Sequence, residues 1–375
     1  MRIGIDCRSM QTRGGIAVYT HNLVKNLLIQ DKFNDYVLFF DASYSQELKK
    51  HTEQENCSVK YFPKKIWGHG LPFLYSHYRV SNFLNKQNLD VFHAPTGSLP
   101  FFYRGRAVIT IHDLAIYKHP EWFPAGQWFA KRIVVPKSLK RAKMIIAVSE
   151  ATERDLQDLF HIPKPKIKVI YEGGLDLARV AKKLENKGQD YILTISTLEP
   201  RKNLTRLIEA FGLYYRKNHQ NKLKLVIVGG EGWKFKEIYQ TVADLGLQKQ
   251  VIFTGFVSEK RKITLLQGAR ALVFPSFYEG FGLPVVEAMS LGVPVICGQN
   301  SALGEICDNA AYFIDPYSAP SIAQGLRKVL GDRDLQSKLK VKGLKRAENF
   351  SWRKCAGKTI EVYRSVGAGL APART

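Results

Sequence analysis

Residues 275–294, PSFYEGFGLPVVEAMSLGVP, run from the end of an apolar segment (ALVF, 271–274) through a glycine turn into a helix, and a second apolar segment (VPVIC, 293–297) follows. Short apolar runs alternating with helix-length segments are the pattern of a parallel sheet covered by helices. Leu283 and Pro284 open the helix; a first-turn proline loses no hydrogen bond, because its missing N–H would have had no intrahelical partner. Gly280 and Gly282 leave backbone N–H groups near that helix N-terminus, a natural anion site. Glu279 and Glu287, on the loop and on the helix, then face one space, where carboxylates accept hydrogen bonds from paired sugar or ribose hydroxyls. Ordinary surface acids flanking a turn are the competing reading of the spacing.

The alternation extends in both directions. A C-terminal series places strands at Tyr191–Ile195, Leu223–Val228, Val251–Thr254, Ala271–Phe274, Val293–Cys297 and Ala311–Ile314. An N-terminal series places them at Arg2–Asp6, Tyr36–Phe40, Val59–Phe62, Val91–His93, Ala107–Ile111, Met144–Val148 and Lys168–Tyr171. Helices are expected at Ala17–Ile29, Tyr78–Asn85, Thr152–Phe160, Ser321–Leu330, Asp334–Asn349 and Trp352–Ser365, with Ser351 as an N-cap. The fold class is therefore α/β, with two doubly wound Rossmann-like domains. Their expected extents are 1–172 and 190–350, joined by a charged, turn-rich hinge at 172–190; a terminal helix spans 351–365. Residues 366–375, VGAGLAPART, carry no periodicity and read as a disordered tail or expression remnant. Ligands of such sheets lie at the carboxyl ends of strands, which puts the expected site in a cleft between the domains.

Composition agrees with two domains: 375 residues, 45% of them hydrophobic, exceed one ordinary core. The five cysteines, Cys7, Cys57, Cys297, Cys307 and Cys355, include no CxxC pair for zinc or redox chemistry and suit a reducing compartment. No apolar run approaches the roughly 20 residues of a membrane span, and MRIGID reads as a buried strand with no signal-peptide character. A cytoplasmic protein is expected, with the inner membrane face as its place of peripheral contact.

The net charge is +23, of which residues 1–170 supply +11. This excess favours anionic partners, although a solvated basic surface accounts for it equally. The stretch Tyr61–Arg79 mixes Lys64, Lys65 and Arg79 with Trp67, Phe73, Tyr75 and Tyr78, as an interfacial segment does. Nucleic acid is not an expected partner, since zinc-finger spacing, an RNP-type motif and a basic recognition helix are all lacking. Asp332 and Asp334 form a DRD sequence, but between helices and away from the expected cleft; no metal is implied, and helix capping explains Asp334.

Three further segments deliver candidate residues to strand ends. ISTLEPRKNL (195–204) brings Arg201 and Lys202 to a helix start, where fixed cations stabilise the charge growing on a diphosphate leaving group. A solvated helix start is the alternative. TRGGIAVYT (12–20) offers Gly14 and Gly15, where backbone can approach a phosphate or sugar; a ligand-free tight turn is the alternative. TIHDL (110–114) puts His112 and Asp113 at a strand end, where His hydrogen-bonds a hydroxyl and Asp orients it or binds an acceptor; a structural histidine competes. Ser149 and Glu150 read as a helix cap.

EGFGLPVVEA (279–288) followed by GVPVI resembles the E-x7-E signature of the retaining glycosyltransferases of family 4, and the resemblance extends from Gly4 to about Arg364. It implies a GT-B fold of two facing Rossmann domains and a metal-independent hexosyltransferase without a cofactor, its nucleotide-sugar being a substrate. It implies that Glu279 contacts donor-sugar hydroxyls and Glu287 the ribose, and that the N–H groups of Phe281, Gly282 and Leu283 approach the sugar and diphosphate. By the same resemblance Arg201 and Lys202 bind the diphosphate with Glu199 in support, and Gly14 and Gly15 line the donor phosphate and acceptor side. His112 lies beside the donor sugar and Asp113 shapes the acceptor side. Many members carry Gly-Arg or Gly-Lys where this chain has Ser196, so phosphate binding rests more heavily on Arg201 and Lys202.

Retention is likewise implied by the family, with the departing phosphate oxygen taking the acceptor proton on the same face. EPRKN with EGFGLP is similar to bacterial mannosyltransferases of surface-polysaccharide assembly. GDP-mannose is thus the first expected donor and a UDP-sugar the second, with a nascent or lipid-linked glycan as acceptor. The competing classes are a nucleotide-sugar epimerase of the same architecture, against which the E-x7-E motif stands, and a basic membrane or nucleic-acid binding protein. An NAD oxidoreductase is disfavoured, because no GxGxxG follows the first strand.

Overall fold

The computed structural model describes residues 1–42, 44–63, 74–124, 126, 130–175, 190–216 and 222–368. Most of Tyr61–Arg79, the expected hinge beyond residue 175 and the tail beyond residue 368 lie outside these residues. The chain divides into two compact units: Met1–Tyr117 with Ala125–Glu172 and Trp352–Thr375, and Lys118–Pro124 with Gly173–Ser351. Residues 118–124, which the sequence pattern groups with the first domain, thus belong to the second unit.

The first unit is built on strands β1 (Arg2–Asp6), β2 (Asp35–Phe40), β3 (Cys57–Tyr61), β4 (Val91–Ala94), β5 (Ala107–Ile111), β6 (Met144–Ala147) and β7 (Ile167–Val169). They form one parallel sheet in the order β3-β2-β1-β4-β5-β6-β7. Such strands are buried on both faces and read as continuous apolar runs, as AVITI in β5 does. Each buried Leu, Ile or Phe contributes about 1.5–3 kcal/mol. The helix Gly15–Gln30 buries Tyr19, Leu23, Val24, Leu27 and Leu28. The terminal helix Trp352–Gly367 packs against it; Trp352 meets Tyr19 edge-on at 6.0 Å and Gln30 donates to the Arg353 carbonyl at 3.2 Å. That helix takes in Val366 and Gly367, which the sequence reading gave to the tail.

The second unit contains β8 (Tyr191–Ile195), β9 (Lys224–Val228), β10 (Val251–Gly255), β11 (Leu272–Phe274), β12 (Val295–Gly298) and β13 (Tyr312–Ile314), parallel in the order β10-β9-β8-β11-β12-β13. β12 starts two residues later than the pattern suggests, because Pro294 has no N–H for the ladder. Its carbonyl still accepts from Leu272 N at 2.9 Å. The helix Arg333–Ala347 is capped by Asp332, whose Oδ1 accepts from Leu335 N at 2.9 Å. Asp334, assigned that cap from sequence, sits instead in the first turn, where its charge suits the helix dipole.

Candidate active site

In an open parallel sheet the strand order reverses at one point, and the loops leaving the strands there diverge to leave a crevice at their carboxyl ends. In the second unit the reversal falls between β8 and β11. The loop after β8 supplies Glu199, Arg201 and Lys202; the loop after β11 supplies Glu279.

Side chains and backbone tie these loops together. Lys202 Nζ donates to Glu279 Oε1 at 2.6 Å, and Arg201 Nη1 reaches Glu279 Oε2 at 3.4 Å. Arg201 also pairs with Glu199 Oε1, from Nη2 at 3.0 Å and Nε at 3.1 Å, and donates to the Tyr278 carbonyl at 3.1 Å. Phe277 N donates to the Arg201 carbonyl at 2.9 Å. Asn203 leaves the turn Pro200–Lys202 at φ 59°, a left-handed conformation that Asn tolerates. Its buried amide donates to the carbonyls of Pro275 at 3.0 Å and Pro316 at 2.6 Å. After β12, Ser301 Oγ accepts from Glu279 N at 2.9 Å.

Glu279 and Glu287 occupy separate ion-pair clusters. Burial alone would raise the Glu279 carboxyl, but Lys202 and Arg201 outweigh it and hold that group below the ordinary carboxylate range. Glu287 lies in the helix Leu283–Ser290, and its Oε1 accepts from Lys262 Nζ at 2.6 Å. There burial dominates the attraction of Lys262, and the carboxyl is pushed up. Lys262 also pairs with Glu259 at 3.0 Å.

The helix Leu283–Ser290 begins on Gly282, at φ 100°, which favours glycine. Phe281 and Leu283 on either side are buried. Gly229, after β9, has φ 145°, and a Cβ there would lie 1.9 Å from the Ser196 carbonyl oxygen. The glycine-rich loop after β9 thus packs against the loop leading to Arg201.

In the first unit the strand order reverses between β1 and β4. Gly14 and Gly15 follow β1 and open the helix Gly15–Gln30; both are exposed, and Gly14 has φ 130°. His112 Nε2 lies 2.9 Å from the Pro95 carbonyl, which only accepts, so this nitrogen carries a hydrogen. Nδ1 lies 3.0 Å from Glu172 Oε1. Tyr19 packs edge-on to the His112 ring at 4.7 Å. Asp113 Oδ1 accepts from Ala115 N at 3.2 Å, at the start of the short helix Ala115–Lys118. Ser149 caps Glu150–Phe160 by accepting from Thr152 N at 3.0 Å.

Asn203, Lys262, Ser301 and Glu172 were not singled out from sequence, because each acts through a partner distant in the chain. Gly229 had a local signal in the VGGEGW run, 228–233, that passed unused. No group of three His, Cys, Asp or Glu able to hold a metal occurs among the described residues. No described helix is long and apolar enough to cross a membrane.

A model described as glycosyl transferases group 1 matches residues 178–346, and one described as glycosyltransferase family 4 matches residues 13–179. O-antigen chain mannosyltransferase B of Escherichia coli is 30% identical over 373 residues, covering 93% of this chain and 96% of that protein. The chain belongs to the family 4 glycosyltransferases. Two solved structures share the fold of this glycosyltransferase. One is Anabaena Alr3699/HepE in complex with UDP and glucose, with TM-score 0.76, 20% identity, and coverage of 97% of this chain and 100% of that one. The other is WaaG, a glycosyltransferase involved in lipopolysaccharide biosynthesis, with TM-score 0.75, 16% identity, and coverage of 96% and 99%. The glycosyltransferase is therefore an α/β protein of the GT-B class, with a seven-stranded and a six-stranded Rossmann-like sheet.

Proposed function

We propose that the enzyme is a retaining mannosyltransferase that moves mannose from GDP-mannose to a nascent or lipid-linked glycan of a surface polysaccharide. The observation that carries this reading is the Arg201–Lys202–Glu279 cluster at the strand-order reversal. In it, Arg201 and Lys202 neutralise the donor diphosphate in place of a metal ion, and the ionised Glu279 accepts from hydroxyls of the sugar. Glu199 holds the Arg201 fork, Glu287 takes the ribose hydroxyls, and the backbone of Phe281, Gly282 and Leu283 approaches the phosphates at a helix N-terminus. On the first unit, Gly14 and Gly15 offer open backbone, and His112 exchanges its Pro95 contact for a sugar hydroxyl. Asp113 borders the acceptor.

As the glycosidic bond breaks, charge develops on the β-phosphate oxygen. Fixed cations stabilise that charge more than they stabilise the ground state, which is how they accelerate the step. The same oxygen takes the acceptor proton, so the new bond forms on the face that the nucleotide leaves. Similarity to the O-antigen enzyme supports mannose. UDP-sugars form the second reading, supported by the UDP and glucose in the Anabaena neighbour. The positive charge suits an enzyme working at an anionic cytoplasmic membrane face.

The test is sugar transfer from GDP-mannose, compared with UDP-glucose and UDP-N-acetylglucosamine, to a mannose-terminated acceptor, with the product anomer read by NMR. An α-mannoside from GDP-mannose is expected. A β-product, or transfer only from a UDP-sugar, overturns the respective part of the proposal.

A further inference from the structure

Residues Lys118–Pro124 follow the His112–Asp113 loop after four intervening residues, yet they form part of the second unit. Here they make a strap over the loop that carries Glu279. Trp122 stacks on Phe277, with centroids 5.6 Å apart and planes at 24°, and Phe277 stacks on Tyr317 at 4.8 Å and 24°. His119 stacks on Trp122 at 3.9 Å and 15°. Trp233 Nε1 donates to the Trp122 carbonyl at 2.5 Å, Phe123 packs on the Trp233 ring at 5.7 Å, and Lys234 Nζ donates to the Glu121 carbonyl at 3.1 Å. The Lys118 ammonium lies 5.6 Å from the centre of the Tyr278 ring.

Phe277 and Tyr278 are the two residues before Glu279, and both bond Arg201: Phe277 N donates to its carbonyl, and the Tyr278 carbonyl accepts from Nη1. The strap therefore rests on the short stretch that fixes the Arg201–Glu279 pair. Trp122 and Phe277 are only half-buried and Tyr317 is 57% exposed, so the ladder lies at the surface, outside the hydrophobic core.

We propose that Trp122 is a positioning residue for sugar transfer. Its stack on Phe277 holds the Glu279 loop, and through it Arg201, in the geometry that binds a nucleoside diphosphate sugar. The inference rests on the assignment of Arg201 and Glu279 to the donor.

The experiment compares Trp122→Ala, Trp122→Phe and the parent enzyme by amide hydrogen exchange across residues 275–282 and by donor KM and kcat for GDP-mannose. Trp122→Ala is expected to speed exchange in that segment and to raise donor KM about tenfold with a smaller change in kcat, since misplacing binding groups weakens the donor complex. Trp122→Phe keeps a stacking ring and should restore both to within about twofold. Unchanged exchange and KM in Trp122→Ala would overturn the proposal. So would equal impairment of both variants together with a lowered unfolding midpoint, which marks a purely structural residue. So too would faster exchange with an unchanged KM. If the parent turns over neither GDP-mannose nor a UDP-sugar, the donor assignment itself has failed, and the exchange data alone still tell whether Trp122 holds the loop.

Discussion

Lys202 and Glu279 stand 77 positions apart in the chain, and their charged groups meet at 2.6 Å across the reversal in strand order of the second sheet. Both side chains are nearly buried, at 12% and 8% exposure, so the contact is little screened by solvent or salt. With Arg201 it forms two cations around one carboxylate and leaves the local charge net positive before Glu199 is counted. A diphosphate would compete with Glu279 for those cations.

Removing either cation should therefore damage the chemical step more than the fold. Arg201→Ala and Lys202→Ala are each expected to lower kcat/KM by about 10²–10³, the range for a fixed donor aimed at developing charge. Steady-state kinetics with the active donor checks this.

The two glutamates should respond to pH in opposite directions. Glu279 is held below its unfolded value by Lys202 and Arg201 against the pull of burial, so its ionised form stabilises the fold above about pH 4.3 and that contribution fades as pH falls. Relative to the parent, Glu279→Gln should lose stability as pH rises toward about 4.3 and change little further above about pH 5. Burial pushes Glu287 up, so its contribution is present below about pH 4.3 and is lost as pH rises through the folded value. Glu287→Gln should therefore gain ground on the parent as pH rises above about 4.3, with Lys262 keeping Glu259 as partner. Urea unfolding at several pH values gives both trends.

Gly14 and Gly229 both have positive φ but should differ in tolerance. A Cβ on Gly14 meets nothing within 4 Å, so Gly14→Ala carries backbone strain alone, about 1–3 kcal/mol. A Cβ on Gly229 would lie 1.9 Å from the Ser196 carbonyl oxygen, so the loop must move. Gly229→Ala should lower the unfolding midpoint further and also weaken donor binding, and thermal unfolding with and without nucleotide compares the two.

A buried polar chain links the terminal helix to the first sheet. The Tyr363 hydroxyl lies 2.7 Å from His93 Nδ1, His93 Nε2 lies 2.8 Å from Thr110 Oγ1, and Thr110 Oγ1 lies 3.0 Å from the Tyr19 hydroxyl. Burial brings His93 down to about 3, so it stays neutral at working pH. Tyr363→Phe leaves Nδ1 without a partner and should cost about 1–3 kcal/mol in urea unfolding.

The strands were legible because parallel β-strands buried on both faces leave uninterrupted apolar runs such as YILTI and KLVIV. The EGFGLP turn was legible because its glycine and proline obey local backbone rules. What stayed hidden depends on the tertiary fold. Nothing near Lys262 announces Glu287, 25 residues on, and nothing near Trp122 announces Phe277. The acceptance by Asp113 Oδ1 from Ala115 N at the start of a short helix was equally hidden, because any strand-end aspartate can serve such a use beside another role.

Whether Arg201 and Lys202 hold the diphosphate of a guanine-nucleotide sugar is read by calorimetric titration of the parent, Arg201→Ala and Lys202→Ala with GDP, UDP and GDP-mannose. The parent is expected to bind GDP and GDP-mannose more tightly than UDP, and each variant to lose at least about tenfold, 1.4 kcal/mol, in affinity for GDP. Equal affinity of all three proteins for GDP, or binding of UDP alone, would contradict that expectation.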